Sequence, residues 1–249
     1  MQLGAPADNM KIPPTLMEDM VTGFAILAAD GQDSGIAGHL TARVEESEYL
    51  LGHRYGLAFG EVGEDAVCLT DFSLTEAKTG IVSPSLAFHV AMYRARPDIG
   101  AIVHSHPEKV IALGATGAKF EPVFQSALML WNDVHHYDGY DGIVEGEKEG
   151  EKFAQKLGNA KILLLKNHGM IAVGKSVQHA VCASVIFHQN CRIQLDSMKA
   201  GKVSGFDNEK TKADALQSAY EFLNRESVIQ MRWRQLARGA RHRRKVEYP

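Results

Sequence analysis

The chain has 249 residues, 45% of them hydrophobic and 23% charged, which excludes a disordered polymer and is long enough to bury a core without staples. A net charge of −3 argues against a nucleic-acid partner, and no apolar run approaches the roughly 20 residues that a membrane span needs. Cys68, Cys182 and Cys191 form no Cys-x-x-Cys pair and leave one over, so they read as buried packing residues of a reduced, cytoplasmic protein.

In chain order, residues 1–14 are a polar, Pro-broken extension without the pattern of a signal peptide. "TLMEDMVTGFAILAADG" has apolar residues at helical spacing and ends at Gly31. "GIAGHLTARVEESEYLLGHR" and "DAVCLTDFS" read as strands around a hairpin. "SPSLAFHVAMYRARPD" starts a helix with Ser83 at the cap and Pro84 in the first turn, and Pro97 ends it. "GAIVHSH" and "KVIAL" follow as short apolar runs. "EKEGEKFAQKLG" reads as a charged surface helix, and "KILLLKNHGMIAVG" as two strands around a turn, with "ILLL" buried on both faces. A long amphipathic helix runs from the Ser176 cap to Gly201, and a second helical stretch with a basic end from Lys210 to about Arg244. The alternation of helical and extended patterns predicts an α/β fold, with a main domain over 15–205 and a helical, basic tail over 206–249.

"AIVHSHPEKV" carries the chemistry. On a strand, residues i and i+2 share a side, so His104 and His106 project together. Neutral imidazole is a ligand for zinc, iron, copper and nickel. A third ligand must come from elsewhere, and "LLLKNHGMI" offers His168 beside Gly169. The spacing alone is a weak signal, because most histidines are surface or hydrogen-bonded core residues. His179 and His188 read as structural or exposed, and His89 as a packed residue that supports the site rather than a ligand.

Three segments in order strengthen it: "GIAGHLTAR", "FHVAMYRARPDIGAIVHSHP" and "LLLKNHGMIAVG". Together they resemble the class II aldolase/adducin family over roughly residues 15–200. The resemblance implies a three-layer α/β/α fold around a mostly antiparallel sheet. It implies one divalent metal ion per chain on His104, His106 and His168, usually zinc, with manganese or iron(II) as alternatives. It also implies a homo-oligomer, commonly a tetramer, with active sites between subunits and a small-molecule substrate.

The chain departs from the sugar-phosphate aldolases of that family. Their acid/base glutamate, three residues before "FH", is Ser85 here, and their tyrosine after the His-x-His aligns with Ser126. Of their phosphate pocket, the Asn position is His39, and only Ser83 survives of a serine pair, with Pro84 in place of the other. Phosphate sites need several converging donors, so the expected substrate is a non-phosphorylated oxo or hydroxy acid, with Ser83, Ser85 and Ser126 as its contacts. His39 and Tyr140 are the candidate catalytic residues for moving a proton. The expected activity is a metal-dependent carbon–carbon lyase of aldolase or decarboxylase type. The alternatives are an iron(II) oxygenase on the same three histidines and a non-enzymatic, adducin-like binding protein. The basic tail reads either as a solvated helix end, aided by the macrodipole, or as a lid in which Arg232, Trp233 or Arg234 closes over an acidic substrate; truncation after Gln230 is expected to leave metal content intact.

Overall fold

Helix α1 (Pro14–Ala29) starts on Pro13 and Pro14, where a missing backbone N–H costs nothing. It stops because Gly31 adopts φ +77°, letting the Gln32 N–H reach Leu27 O while the Gly31 N–H reaches Ala28 O. The computed structural model describes residues 12–139, 146–206 and 213–247. Seven strands follow within them: β1 (His39–Arg43), β2 (Tyr49–His53), β3 (Val67–Asp71), β4 (Ala101–Ser105), β5 (Val134–Tyr137), β6 (Ile162–Leu165) and β7 (Gly169–Gly174). They form one sheet in the order β3-β2-β1-β4-β7-β6-β5. Every neighbouring pair is antiparallel except β5 with β6.

The seven helices beside α1 are α2 (Thr75–Lys78), α3 (Leu86–Ala95), α4 (Glu108–Thr116), α5 (Glu147–Leu157), α6 (Val177–Ala200), α7 (Ala213–Leu223) and α8 (Glu226–Glu247). Strand alternation sorts them onto two sides. Leu40, Val103, Leu164 and Ala172 pack with α1, α4, α6 and α8. Ile102, Leu163, Ile171 and Val173 pack with α3 and α5. The result is the expected three-layer α/β/α arrangement around a mostly antiparallel sheet.

Some expectations change on contact with packing. β5 carries no apolar alternation (Val-His-His-Tyr) and is absent from the sequence reading, yet it pairs along its length with β6. "KVIAL" lies in α4, and the charged α5 buries Phe153, Ala154 and Leu157 against α3, where a Cβ on Gly150 would come within 2.6 Å of Ala91 Cβ. The stretch from Lys210 is two helices, broken at Asn224, whose side-chain amide donates to Met129 O and Tyr220 O. On α8, Ile229, Trp233, Ala237 and Ala240 recur at helical spacing and enter the main core. Trp233 therefore holds α8 to the body instead of lying free as a lid. Among the described residues, no helix is long and apolar enough to cross a membrane.

Candidate metal centre

The centre forms where β4 ends. His104 pairs across the sheet with His39 of β1 and with Ile171 of β7, and it is 3% exposed. Its Nδ1–H donates to Met170 O at 2.9 Å, which leaves the Nε2 lone pair free. That outer hydrogen bond is the usual way to fix the tautomer of a metal-binding imidazole. His106 stands just past the strand, before the Pro107 that precedes α4. His168 comes from the β6–β7 turn, where Asn167 has φ +57°. Gly169 makes the convergence possible: a Cβ there would meet Ser105 O at 2.4 Å and His106 Cδ2 at 2.9 Å.

The three rings enclose one point. His104 and His106 have centroids 4.5 Å apart at 83°, His104 and His168 5.1 Å apart at 81°, and His106 and His168 4.9 Å apart at 16°. One ligand nitrogen from each lies within 4.8 Å of the others, and among the described residues no carboxylate or thiol shares the cluster. Burial and the neighbouring imidazoles hold the ring of His104 well below the ordinary histidine value; burial, then His168, lowers His106 to about 4, and burial lowers His168. All three are neutral near pH 7, with a lone pair available. This donor set fits a divalent cation such as zinc, manganese or iron(II).

Beneath the triad, on the α3 side, lies a second group of imidazoles. His39 stacks 6.0 Å from His104 and meets His89 edge-on at 5.6 Å. His39 is 3% exposed and neither ring nitrogen has a hydrogen-bond partner; His89 Nε2 has none either. His89 Nδ1 shares a 2.8 Å bond with Thr41 Oγ1, which lies 2.9 Å from Tyr93 OH. Burial, with His53 and His106 nearby, lowers His39 to about 3, and burial lowers His53 to about 4. His89 is thus packed against His39 and lies outside the triad. The bond to Thr41 leaves no motif, although His89 and Tyr93 sit four apart on one helix face.

The remaining candidates are spread around the centre. Ser83 Oγ accepts the Ser85 N–H at 3.3 Å just before α3, whose N-cap is Ser85 and not the expected Ser83. Ser85 precedes Phe88 and His89 by one turn and shares their face; Phe88 meets His104 at 5.2 Å. Ser126 lies in the 3-10 turn Gln125–Leu130, which packs with α6 and α7 on the other side of the sheet. Tyr140 lies outside the described residues. His188 is buried against Asp30 at 2.9 Å and His179 bonds Ser176, both structural roles.

The profile of the "Class II Aldolase and Adducin N-terminal domain" matches residues 18–195, and the chain belongs to this family. It is 31% identical to the "4-hydroxy-3-prenylphenylpyruvate oxygenase/4-hydroxy-3-prenylbenzoate synthase" of Streptomyces roseochromogenus subsp. oscitans, over 72% of this chain and 65% of that one. It is 30% identical to "Decarboxylase NovR" of Streptomyces niveus, over 72% of this chain and 67% of that one. Mouse alpha-adducin is 32% identical over 70% of this chain, which spans only 24% of the adducin. Among solved structures, the L-fuculose 1-phosphate aldolase of Glaciozyma antarctica PI12 superposes with a TM-score of 0.78 at 25% identity, covering 94% of this chain and 91% of that one.

Proposed function

We propose that this member of the class II aldolase/adducin family is a divalent-metal-dependent carbon–carbon lyase, of aldolase or decarboxylase type, for a small non-phosphorylated oxo or hydroxy acid. The observation that carries this reading is the convergence of three neutral histidine nitrogens, with no carboxylate among them, at the end of β4. His104, His106 and His168 would hold one ion, most simply zinc, with manganese or iron(II) as alternatives. When bound, such an ion supplies Lewis acidity and stabilises an enolate-type charge.

The residues of the chain do the rest. His39, neutral and unpaired against His104, would share a hydrogen bond with a substrate oxygen; burial makes it too weak a base to hold a hydroxyl proton near pH 7, which leaves Tyr140 or a neighbouring subunit as the candidate for that step. Ser83 and Ser85, next to the N-terminus of α3, would meet a carboxylate. Ser126, on the far side of the sheet, would serve a neighbouring subunit in a homotetramer. With Ser85 in place of a glutamate, decarboxylation is the reaction that asks least of the chain, because carbon dioxide leaves without a proton donor. The name of the NovR relative supports this assignment.

A second reading is an iron(II) oxygenase. The donor set of three neutral imidazoles suits ferrous iron, and the other Streptomyces relative carries an oxygenase name. A panel of 2-oxo, 2-hydroxy and ortho-hydroxy aryl acids, with sugar phosphates beside them, assayed in air and without oxygen, tests both. Oxygen-independent release of carbon dioxide or an aldehyde supports the lyase. Oxygen uptake with bound iron supports the oxygenase. Turnover confined to sugar phosphates overturns the substrate class.

A further inference from the structure

The side of the sheet opposite His39 holds a buried hydrogen-bond network. Its hub is Gln32, which is 0% exposed and lies in the segment joining α1 to β1. Gln32 Oε1 accepts from Ser105 Oγ at 2.9 Å and from Ser184 Oγ of α6 at 2.7 Å. Its Nε2 donates to Asp30 Oδ2 at 2.8 Å, and the same oxygen meets His188 Nδ1 at 2.9 Å. Two residues on, Ser34 Oγ donates to Gln32 O at 3.0 Å and accepts the His106 backbone N–H at 2.8 Å.

This places one segment on two consecutive residues of the metal-carrying strand end. Ser105, between the two ligands, is held by its side chain, and His106 is held by its main chain. His106 needs the second bond because it lies beyond the last ladder pair, Ser105 with Met170. A free strand end would let its ring swing, and each swing would alter the distance to His104 and His168. Buried polar groups that are fully paired rigidify their surroundings, since any departure leaves a group unpaired.

We propose that Ser34 is a positioning residue of the metal centre, anchored through Gln32, and that this pair sets metal affinity by fixing where His106 stands. The proposal rests on the metal reading above. Ser34 touches neither ion nor substrate; it acts through the His106 main chain. Outer partners of this kind are worth roughly 10–100-fold in metal affinity.

The test titrates apoprotein with zinc and with cobalt(II), in competition with a chelating dye, and records the cobalt d–d absorption and the melting temperature of each apoprotein. The chains are wild type, Ser34→Ala, Ser34→Thr and, as a control, Ser47→Ala, which removes a hydroxyl bonded to Val44 O away from the centre. The expected result is a roughly 10–100-fold weaker zinc affinity and a shifted cobalt spectrum for Ser34→Ala. Ser34→Thr restores both, Ser47→Ala leaves both unchanged, and the two alanine variants melt alike without metal. If Gln32→Leu folds, it weakens the ion further. Wild-type affinity and spectrum in Ser34→Ala overturn the proposal while the metal reading stands. Equal losses in Ser34→Ala and Ser47→Ala also overturn it, as a general effect of destabilisation. A wild type that binds neither ion overturns both.

Discussion

Next to the three histidines, the two sides of the sheet treat their buried polar groups differently. On the α1/α6 side, the side chains of Gln32, Ser105, Ser184 and His188 all have partners. On the α3 side, His39 and His89 keep three ring nitrogens buried and unpaired. An unpaired buried polar group costs about 1–3 kcal/mol, so a fold keeps one only for a reason. The difference teaches where to look for each role: under the proposed function, the paired side holds the ligands still and the unpaired imidazoles face what the centre binds.

The sharpest way to break this comparison is to move a ligand. Gly169→Ala would drive a methyl group into Ser105 O and His106, and His106→Ala removes a ligand outright. Both are expected to lose more than the roughly 100-fold in metal affinity that an outer partner is worth, measured by competition titration. Next comes the scaffold side. Gln32→Ala strands the hydroxyls of Ser105 and Ser184 and should cost about 1–3 kcal/mol of stability in chemical denaturation. On the reserved side the sign turns: His39→Leu removes an unpaired imidazole, so stability should hold or rise by up to about 1 kcal/mol while substrate turnover is lost. A destabilised His39→Leu protein would mean that His39 is scaffold after all.

An effect of another kind is in pH. His39 and His53 are lowered to about 3 and about 4 in the fold, against 6.5 in the free side chain. Above pH 6.5 they are neutral, folded or unfolded. As pH falls from 6.5 toward 4, the unfolded chain takes up protons that the folded chain refuses, so apoprotein stability falls over that window. His39→Leu should flatten the slope, and an unchanged slope would remove His39 as a cause.

Much of the fold was legible because its strands and helices carry strong periodicity. α1, α6 and the β6–β7 pair stand where apolar spacing, Gly31 and Gly201 put them. β5 was not legible: Val-His-His-Tyr is a half-exposed edge whose identity comes from pairing with β6. The break between α7 and α8 depends on Asn224 reaching Met129, a contact 95 residues away. In the site, the histidine triad was legible from a two-residue strand period and a Gly turn. The Gln32 network and the Thr41–His89 bond were not, because each joins segments far apart in sequence through residue types that have no spacing rule.

The central claim, that the triad holds a divalent cation, is tested most directly by elemental analysis of tag-free protein beside His106→Ala. About one metal ion per chain in the wild type and none in the variant is the predicted result, as expected for a site of three protein ligands. No metal in either protein, even after reconstitution with zinc, manganese and iron(II), would contradict the account and leave an adducin-like binding protein.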